Sequence, residues 1–343
     1  MTKNNKNFQY YLSHFLTKEM PVNRNNSTNT ISSYATTFKL YLEYMNEEKG
    51  IKPNNVNLSD ITKDNVIGYL NWLEYKHQIQ VNSRNVRLAA IRSFVSYLQI
   101  EDIEHIFEYQ KILSIKKKKS SDNEVLWISK DQMKLLLNSP SSHIKDGFKD
   151  KVMLTVLYDT GARVDELIHM KLMDIHLDKP SSIKIKGKGN KVRVVPIMGN
   201  TVKLLKKYID ENNLKKRQFE DHPYLFQNRS GKPYTRAGIS YIINKYVDIA
   251  NSKYNARITV KMHPHVFRHS KAVHLLEAGI ELIYIRDFLG HSSVKTTEIY
   301  AKICSQNKID ALEKVYENLS QTSENDWTND QDLMDWLTKL SKK

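Results

Sequence analysis

Chemistry-bearing residues concentrate between His265 and Tyr300. The stretch opens with His265-Val266-Phe267-Arg268-His269, passes through Leu289-Gly290-His291 and closes on Glu298-Ile299-Tyr300. In a chain with 12 histidines and 19 tyrosines such residues are common singly, so their order and spacing carry the information. On a helix His265 and Arg268, three positions apart, share one face and converge on one ligand. Gly290 reads as the stop of a helix over 281–289, which places His291 just beyond that end. Ser292 or Ser293 then caps a short helix carrying Tyr300. Two histidines, an arginine and a tyrosine around one pocket suit attack on a phosphodiester. Arginine offers a planar fork for two phosphate oxygens, histidine donates to a third, and tyrosine serves as nucleophile.

Two polar motifs lie upstream: Thr160-Gly161-Ala162-Arg163-Val164-Asp165-Glu166-Leu167 and Gly187-Lys188-Gly189-Asn190-Lys191. With H-x-x-R-H, L-G-H and a tyrosine nine positions after His291, this order resembles the signature of the tyrosine recombinases. That family includes phage integrases, bacterial chromosome-dimer resolvases and some transposon recombinases. The resemblance covers about Val125 to Ile303, and more weakly the N-terminal part. It implies a catalytic set of Arg163, Lys188, His265, Arg268, His291 and Tyr300, with no cofactor and no metal. In the implied transesterification Tyr300 attacks the scissile phosphate, giving a 3′-phosphotyrosyl bond and a free 5′-hydroxyl. Arg163 and Arg268 hold the non-bridging oxygens, and His291 hydrogen-bonds the phosphate too. His265 helps take the tyrosine's proton, and Lys188 protonates the leaving 5′-oxygen. Glu166 either orients a catalytic side chain or pairs with neighbours of Arg163.

The implied activity is site-specific DNA recombination, serving integration, excision, transposition or resolution. The implied partners are double-stranded DNA with paired recognition sites and a homo-tetramer, or a hetero-tetramer with a related recombinase. A type IB topoisomerase would share the covalent step but rejoin the same strand, and the compact integrase-like layout disfavours it. A non-catalytic DNA-binding protein on a decayed scaffold would have lost a motif residue, and none is missing. His263, His265, His269 and His274 invite a metal reading, yet the chain has a single cysteine and no H-E-x-x-H pattern. Arg163, Arg268 and the histidines can neutralise the phosphate instead. His263, His269 and His274 then read as scaffold or DNA-contacting.

These residues need a scaffold, and the flanking pattern supplies one. Ser129 caps a helix containing Met133, Leu135, Leu136 and Leu137, and 148–158 is an apolar helix broken by Thr160-Gly161. A new helix begins near Arg163, where helix amides also favour an anion. Ile183–Lys186 and Lys191–Val194 alternate as strands around the Gly-Lys-Gly-Asn turn, and Pro196 confines the second to an edge or an end. Arg193 and Lys184 read as DNA-backbone contacts. Helices are expected over 201–221 and 239–250, separated by Tyr224-Leu225-Phe226 and a Gly231-Lys232-Pro233 turn.

The N-terminal hundred residues read as helices: a start over 8–16, one capped by Thr30 and ended at Lys49-Gly50, one after Thr62, and one from about Asn82. The last turns Val86, Ala90, Ile91, Phe94, Tyr97 and Leu98 inward. Arg84, Arg87 and Arg92 decorate it, either as a solvated face or, as the resemblance implies, on a DNA-clamping bundle. The expected organisation is mainly α with a small β-sheet: an N-terminal helical core-binding (SAM-like) domain over 1–115, a basic linker over 116–124, an α+β tyrosine-recombinase catalytic domain over 125–303, and a tail over 304–343.

A formal net charge of +15 favours a polyanionic partner, and Lys116–Lys119 are placed to lie along phosphates. A nuclear-localisation reading of that run finds nothing else in its support. Cys304 is the sole cysteine, and the chain shows neither the apolar core of a signal peptide nor an apolar run near the ~20 residues of a membrane span. A cytoplasmic setting is expected. In the tail, Ile309, Leu312, Tyr316 and Leu319 repeat at helical spacing, as do Leu333, Trp336, Leu337 and Leu340, with a polar hinge over 320–326 between them. Asp330, Asp332 and Asp335 make the last segment a poor DNA ligand. Its apolar stripe is expected to pack on its own catalytic domain or, the reading pursued here, to dock in a neighbouring protomer.

Overall fold

Ser27 ends the first polar stretch and starts a long helix, its side chain accepting from the Thr30 amide. The cap is therefore three residues earlier than the sequence pattern places it. In the computed structural model, residues 7–119, 125–141, 146–187, 191–214, 224–291, 293–301, 335 and 337–339 are described. Lys188, Ser292, Cys304 and, in the tail, the first helical repeat, the hinge, and Asp330, Asp332, Leu333, Trp336 and Leu340 of the last segment lie outside them. The chain divides into two compact units, Met1–Asn123 and Glu124–Lys343. No helix among the described residues is long and apolar enough to cross a membrane.

The N-terminal unit is helical. Helix α1 (Phe8–His14) runs into a π-helical segment, Phe15–Asn23, containing Pro21; proline supplies no amide to the regular ladder, which favours the wider turn. Then follow α2 (Thr28–Lys49), α3 (Lys63–Lys76), α4 (Val81–Glu101) and α5 (Ile106–Leu113). Gly50, at φ +68°, stops α2, and Thr62 caps α3 by accepting from Asn65 N. Gly68 lets α3 approach α2 closely, since a Cβ there would sit 2.2 Å from the Tyr44 hydroxyl. The core is rich in aromatic rings, with Phe38 edge-on to Phe94 at 5.0 Å and Tyr41 edge-on to Tyr69 at 5.3 Å.

Helix α4 turns Ala90, Ile91, Phe94, Tyr97 and Leu98 inward as expected and departs from the expected face at Val86. Val86 is 50% exposed, while Arg84 is 4% exposed. The buried stripe follows Arg84, Leu88, Ile91, Val95 and Leu98, the spacing of one helical face, and Val86 falls off it. Arg84 Nε lies 3.3 Å from Glu74, and Arg87 donates to Ser33 O at 2.9 Å and Thr37 Oγ1 at 3.1 Å. Neither arginine forms the solvated face considered from sequence. Helix α5, absent from the expected set, buries Tyr109 and Ile112. Beyond it Lys118 is fixed to α4 through both its amide and its carbonyl with the Asn85 side chain, and its Nζ reaches Glu74 at 2.6 Å.

The second unit begins at α6 (Lys130–Asn138), where Ser129 and Gln132 form the reciprocal cap that the sequence pattern predicts. Helix α7 (Gly147–Thr160) buries Val152, Met153, Leu154, Val156 and Leu157, and Gly161 at φ +56° ends it. The short α8 (Val164–Ile168) starts at Arg163. An antiparallel sheet follows in the order β1-β2-β3: β1 (Ile175–His176), β2 (Ser182–Lys186) and β3 (Val192–Pro196). Pro196 closes β3, an edge strand in the three-stranded sheet. Helix α9 (Gly199–Glu211) ends before left-handed Asn213, and the rest of the expected stretch, 215–221, lies outside the described residues. Helices α10 (Arg236–Tyr254), α11 (Pro264–Glu277) and α12 (Leu282–Leu289) complete the described helices that carry the site, with residues 295–301 helical after them. The main core joins α7, the sheet, α9, α10 and α11; a smaller cluster of Ala272, Val273, Ile285, Leu289 and Tyr300 sits where α11 meets α12.

Candidate active site

Arg163 takes the extended N-cap position of α8, and Glu166 one turn in accepts from the Arg163 amide at 2.8 Å. A first-turn carboxylate is favourable at a helix N-terminus, but here it does more. Its Oε1 accepts from Arg163 Nη1 at 2.9 Å, and Arg193 reaches both oxygens, at 3.1 and 2.7 Å. Arg193 comes from β3, where residues alternate; it shares a face with buried Val195 and pairs in register with Ile185. The expected DNA-backbone role for Arg193 does not match this inward course. The parity was available, since a residue two before a core valine faces the core. Burial alone would raise the Glu166 carboxyl, but Arg193 and Arg163 hold it below the usual carboxylate range.

Arg268 lies on the buried face of α11 and stitches two helix ends together. Its Nη1 donates to Gly161 O at 2.7 Å and its Nη2 to Leu289 O at 2.6 Å. Arg193 Nε donates to Phe288 O at 3.0 Å. The last carbonyls of a helix lack intrahelical partners and carry partial negative charge, so two guanidinium groups complete the end of α12. Burial, together with Arg163 and Arg193, pulls Arg268 down to about 9, so it is still cationic at neutral pH. Two guanidinium groups, Arg163 and Arg193, thus pair with the Glu166 carboxylate, and Arg268 adds a third positive charge nearby. A guanidinium with two N–H groups committed keeps others free, and the local excess of positive charge favours an anion.

The turn after α12 places the rest. Gly290 adopts φ +67°, and the Lys295 amide donates to Ser293 Oγ at 3.2 Å, opening the helical segment that carries Tyr300. Of the two serines considered as its cap, Ser293 is the described one. His291 Nδ1 lies 3.0 Å from Thr297 Oγ1, and its ring stacks on Tyr300 at 6.5 Å with an interplanar angle of 18°. Tyr300 is 1% exposed. Its hydroxyl is 2.8 Å from Nδ1 of His269. The residue expected at this proton was His265, which lies one turn earlier on α11 and is exposed, with its ring 6.3 Å from that of His269. Burial, helped by Arg268 and neighbouring cations, lowers both His269 and His291 to about 4, so both rings are neutral at pH 7. Burial raises the Tyr300 phenol, against the opposing pull of Arg268 and Arg163.

A cleft of about 540 Å³ opens here, lined by Arg163, Gly187, Lys191, Val192, Arg193, Asp287, Gly290 and His291. Gly187 and Lys191 bracket the hairpin tip, whose Lys188 is not among the described residues. His274 has a different setting: its Nδ1 meets the Tyr158 hydroxyl at 2.9 Å and its Nε2 meets Ile128 O at 3.0 Å, a scaffold position as expected. Among the described residues, the group with metal-ligating geometry is Asp102, Glu104 and His105, in the other unit. Arg163 and His291 therefore line the cleft, Arg268 is bonded to the end of α12 beside it and Tyr300 stacks on His291, while Glu166 holds Arg163 and Arg193 and His269 meets Tyr300.

The phage integrase family matches residues 126–306, and the N-terminal SAM-like domain of phage integrases matches residues 14–102. An integrase/recombinase-type protein of Sinorhizobium fredii is 31% identical over 333 residues, 96% of this chain and 97% of the relative. Tyrosine recombinase XerD of Halalkalibacterium halodurans is 31% identical over 299 residues, 87% of this chain and 93% of the relative. Among solved structures, XerH bound to palindromic difH substrate in a post-cleavage complex superposes with a TM-score of 0.68 at 22% identity, covering 89% of this chain and 85% of that one. The chain belongs to the phage integrase family, the tyrosine recombinases.

Proposed function

We propose that the protein is a site-specific DNA recombinase that cuts and rejoins strands through a 3′-phosphotyrosyl intermediate. The observation that carries this reading is a tyrosine hydroxyl held by a neutral histidine, near Arg268 and near two further guanidinium groups, Arg163 and Arg193, that share the Glu166 carboxylate. Tyr300 attacks the scissile phosphorus. Arg163 and Arg268 take the non-bridging oxygens as charge builds there, and His291 donates to the phosphate from the rim of the cleft. Lys188, from the hairpin tip, protonates the leaving 5′-oxygen. The hydroxyl of a second strand then reverses the step, so bond energy is retained and no nucleotide cofactor is required.

Double-stranded DNA is the partner, bound by the catalytic region over 125–303 and by the helical region over 1–115, with 116–124 as the basic link. Four protomers on paired sites would complete two rounds of exchange. The 327–343 segment would dock in a neighbouring protomer; deleting it should leave single-site binding intact and abolish synaptic complexes. The central experiment is a nicked suicide substrate in the presence of EDTA. An SDS-resistant protein–DNA adduct should form with the unaltered protein and be absent for Tyr300→Phe. An adduct persisting in that variant would place the nucleophile elsewhere.

A further inference from the structure

The hydroxyl of Tyr300 is buried, and His269, not His265, is in hydrogen-bonding distance of it. We propose that His269 is the proton acceptor for Tyr300, its Nδ1 taking the phenolic proton as the tyrosine oxygen attacks phosphorus. This rests on the reading of Tyr300 as nucleophile and adds a residue to it. The contact is 2.8 Å, within the range of an O–H···N hydrogen bond. For a phenol that donates, Nδ1 must be bare and the ring proton must sit on Nε2.

The surroundings keep that ring neutral and ready to accept. His263 and His265 share its helix end, Arg268 is its chain neighbour, and His291 approaches from the turn after α12 together with Tyr300 itself. Burial and these cations hold the imidazole far below the phenol in basicity, so full ionisation of Tyr300 before attack is uphill. Proton transfer must accompany bond formation. In that step the O–H bond breaks, its electron pair forms the new O–P bond, and the proton binds Nδ1 of His269. The P–O5′ bond breaks with its pair on the 5′-oxygen, which takes the proton of the general acid. The phosphate's negative charge next to Arg163 and Arg268 offsets their field and makes the imidazolium easier to form. On rejoining, the His269 imidazolium returns its proton to the tyrosine oxygen. His265, exposed and one turn away, is left free to meet the DNA.

Single-turnover adduct formation on the nicked substrate tests this, read against pH for unaltered protein, His269→Ala and His269→Gln. General-base catalysis is worth roughly 10²–10⁴-fold, so both variants should slow by about that factor while binding the site as before. Their rates should climb steadily with pH where the unaltered protein levels off, and added imidazole should partly restore His269→Ala. The ¹⁵N spectrum of the unaltered protein gives a second measure that needs no substitution: Nδ1 of His269 should be unprotonated at neutral pH. Unaltered rate and pH profile in both variants, or a proton found on Nδ1, would overturn the proposal. If His269 fails while Tyr300→Phe still abolishes the adduct, the nucleophile reading stands; an adduct in Tyr300→Phe would sink the nucleophile reading itself.

Discussion

Glu166 sits between two guanidinium groups with its side chain 4% exposed, so its loss leaves both charges without their counterion. Breaking a buried ion pair from one side costs about 3–5 kcal/mol. Glu166→Gln should destabilise the catalytic unit on that scale in urea unfolding and slow adduct formation, because Arg163 and Arg193 lose their common anchor. Arg193→Lys should fail similarly, since an ammonium cannot span both carboxylate oxygens and the Phe288 carbonyl. The histidines predict a pH dependence of defined sign. His269 and His291 titrate near 4 in the folded protein against an ordinary value near 6.5. Between those values the unfolded chain binds more protons, so stability is complete above the unfolded value and declines as pH falls toward 4. The urea midpoint of the catalytic unit should drop between pH 7 and pH 5, before most carboxylates titrate. A flat midpoint across that interval would contradict the buried, neutral setting of both rings.

At the level of elements, the end of α12 is where several demands meet. Gly290 turns the chain at φ +67°, and a Cβ there would lie 3.0 Å from Arg193 Cδ. Gly50 has nearly the same φ, +68°, but open space around it. The pair separates backbone strain from displacement of a site residue. Alanine at either position should cost about 1–2 kcal/mol for a left-handed non-glycine residue. Gly290→Ala should in addition slow adduct formation by pushing Arg193 away from Glu166, whereas Gly50→Ala should leave the cleavage rate unchanged. Equal rates for the two variants would show that Arg193 is not held by this turn. The same element view explains Arg268: its guanidinium joins the carboxyl ends of α7 and α12, so the group proposed to receive phosphate also fixes the helix ends around it.

For the whole molecule, charge is the dominant feature, with 53 lysines and arginines against 38 acidic residues. Lys116–Lys119 are all exposed, and Lys118 is in addition drawn onto Glu74 and Asn85. Replacing Lys116, Lys117 and Lys119 with alanine should weaken DNA binding to all sequences alike. The dependence of log K on log salt should flatten by ~0.9 for each phosphate contact removed. An unchanged slope would mean the run lies away from the duplex.

What the residues declare locally is read well from the sequence alone. Ser129 as a cap, and Gly50, Gly161 and Gly290 as helix stops, follow from needs that a few neighbouring residues satisfy. The order of the polar motifs likewise identifies the family without any coordinates, because a motif is a pattern along the chain. Three things depended on how separate elements pack. Arg84 is buried because the inward stripe of α4 is set by its neighbours, not by the count of its apolar residues. Arg193 meets Glu166 across 27 positions because β3 turns that face toward α8. His269 meets Tyr300 across 31 positions because α11 and the segment after α12 come together at one rotation and not another. Two histidines one turn apart differ only slightly in sequence context. Which of them touches the tyrosine is decided by that rotation, a property of the tertiary contact that neither element carries by itself.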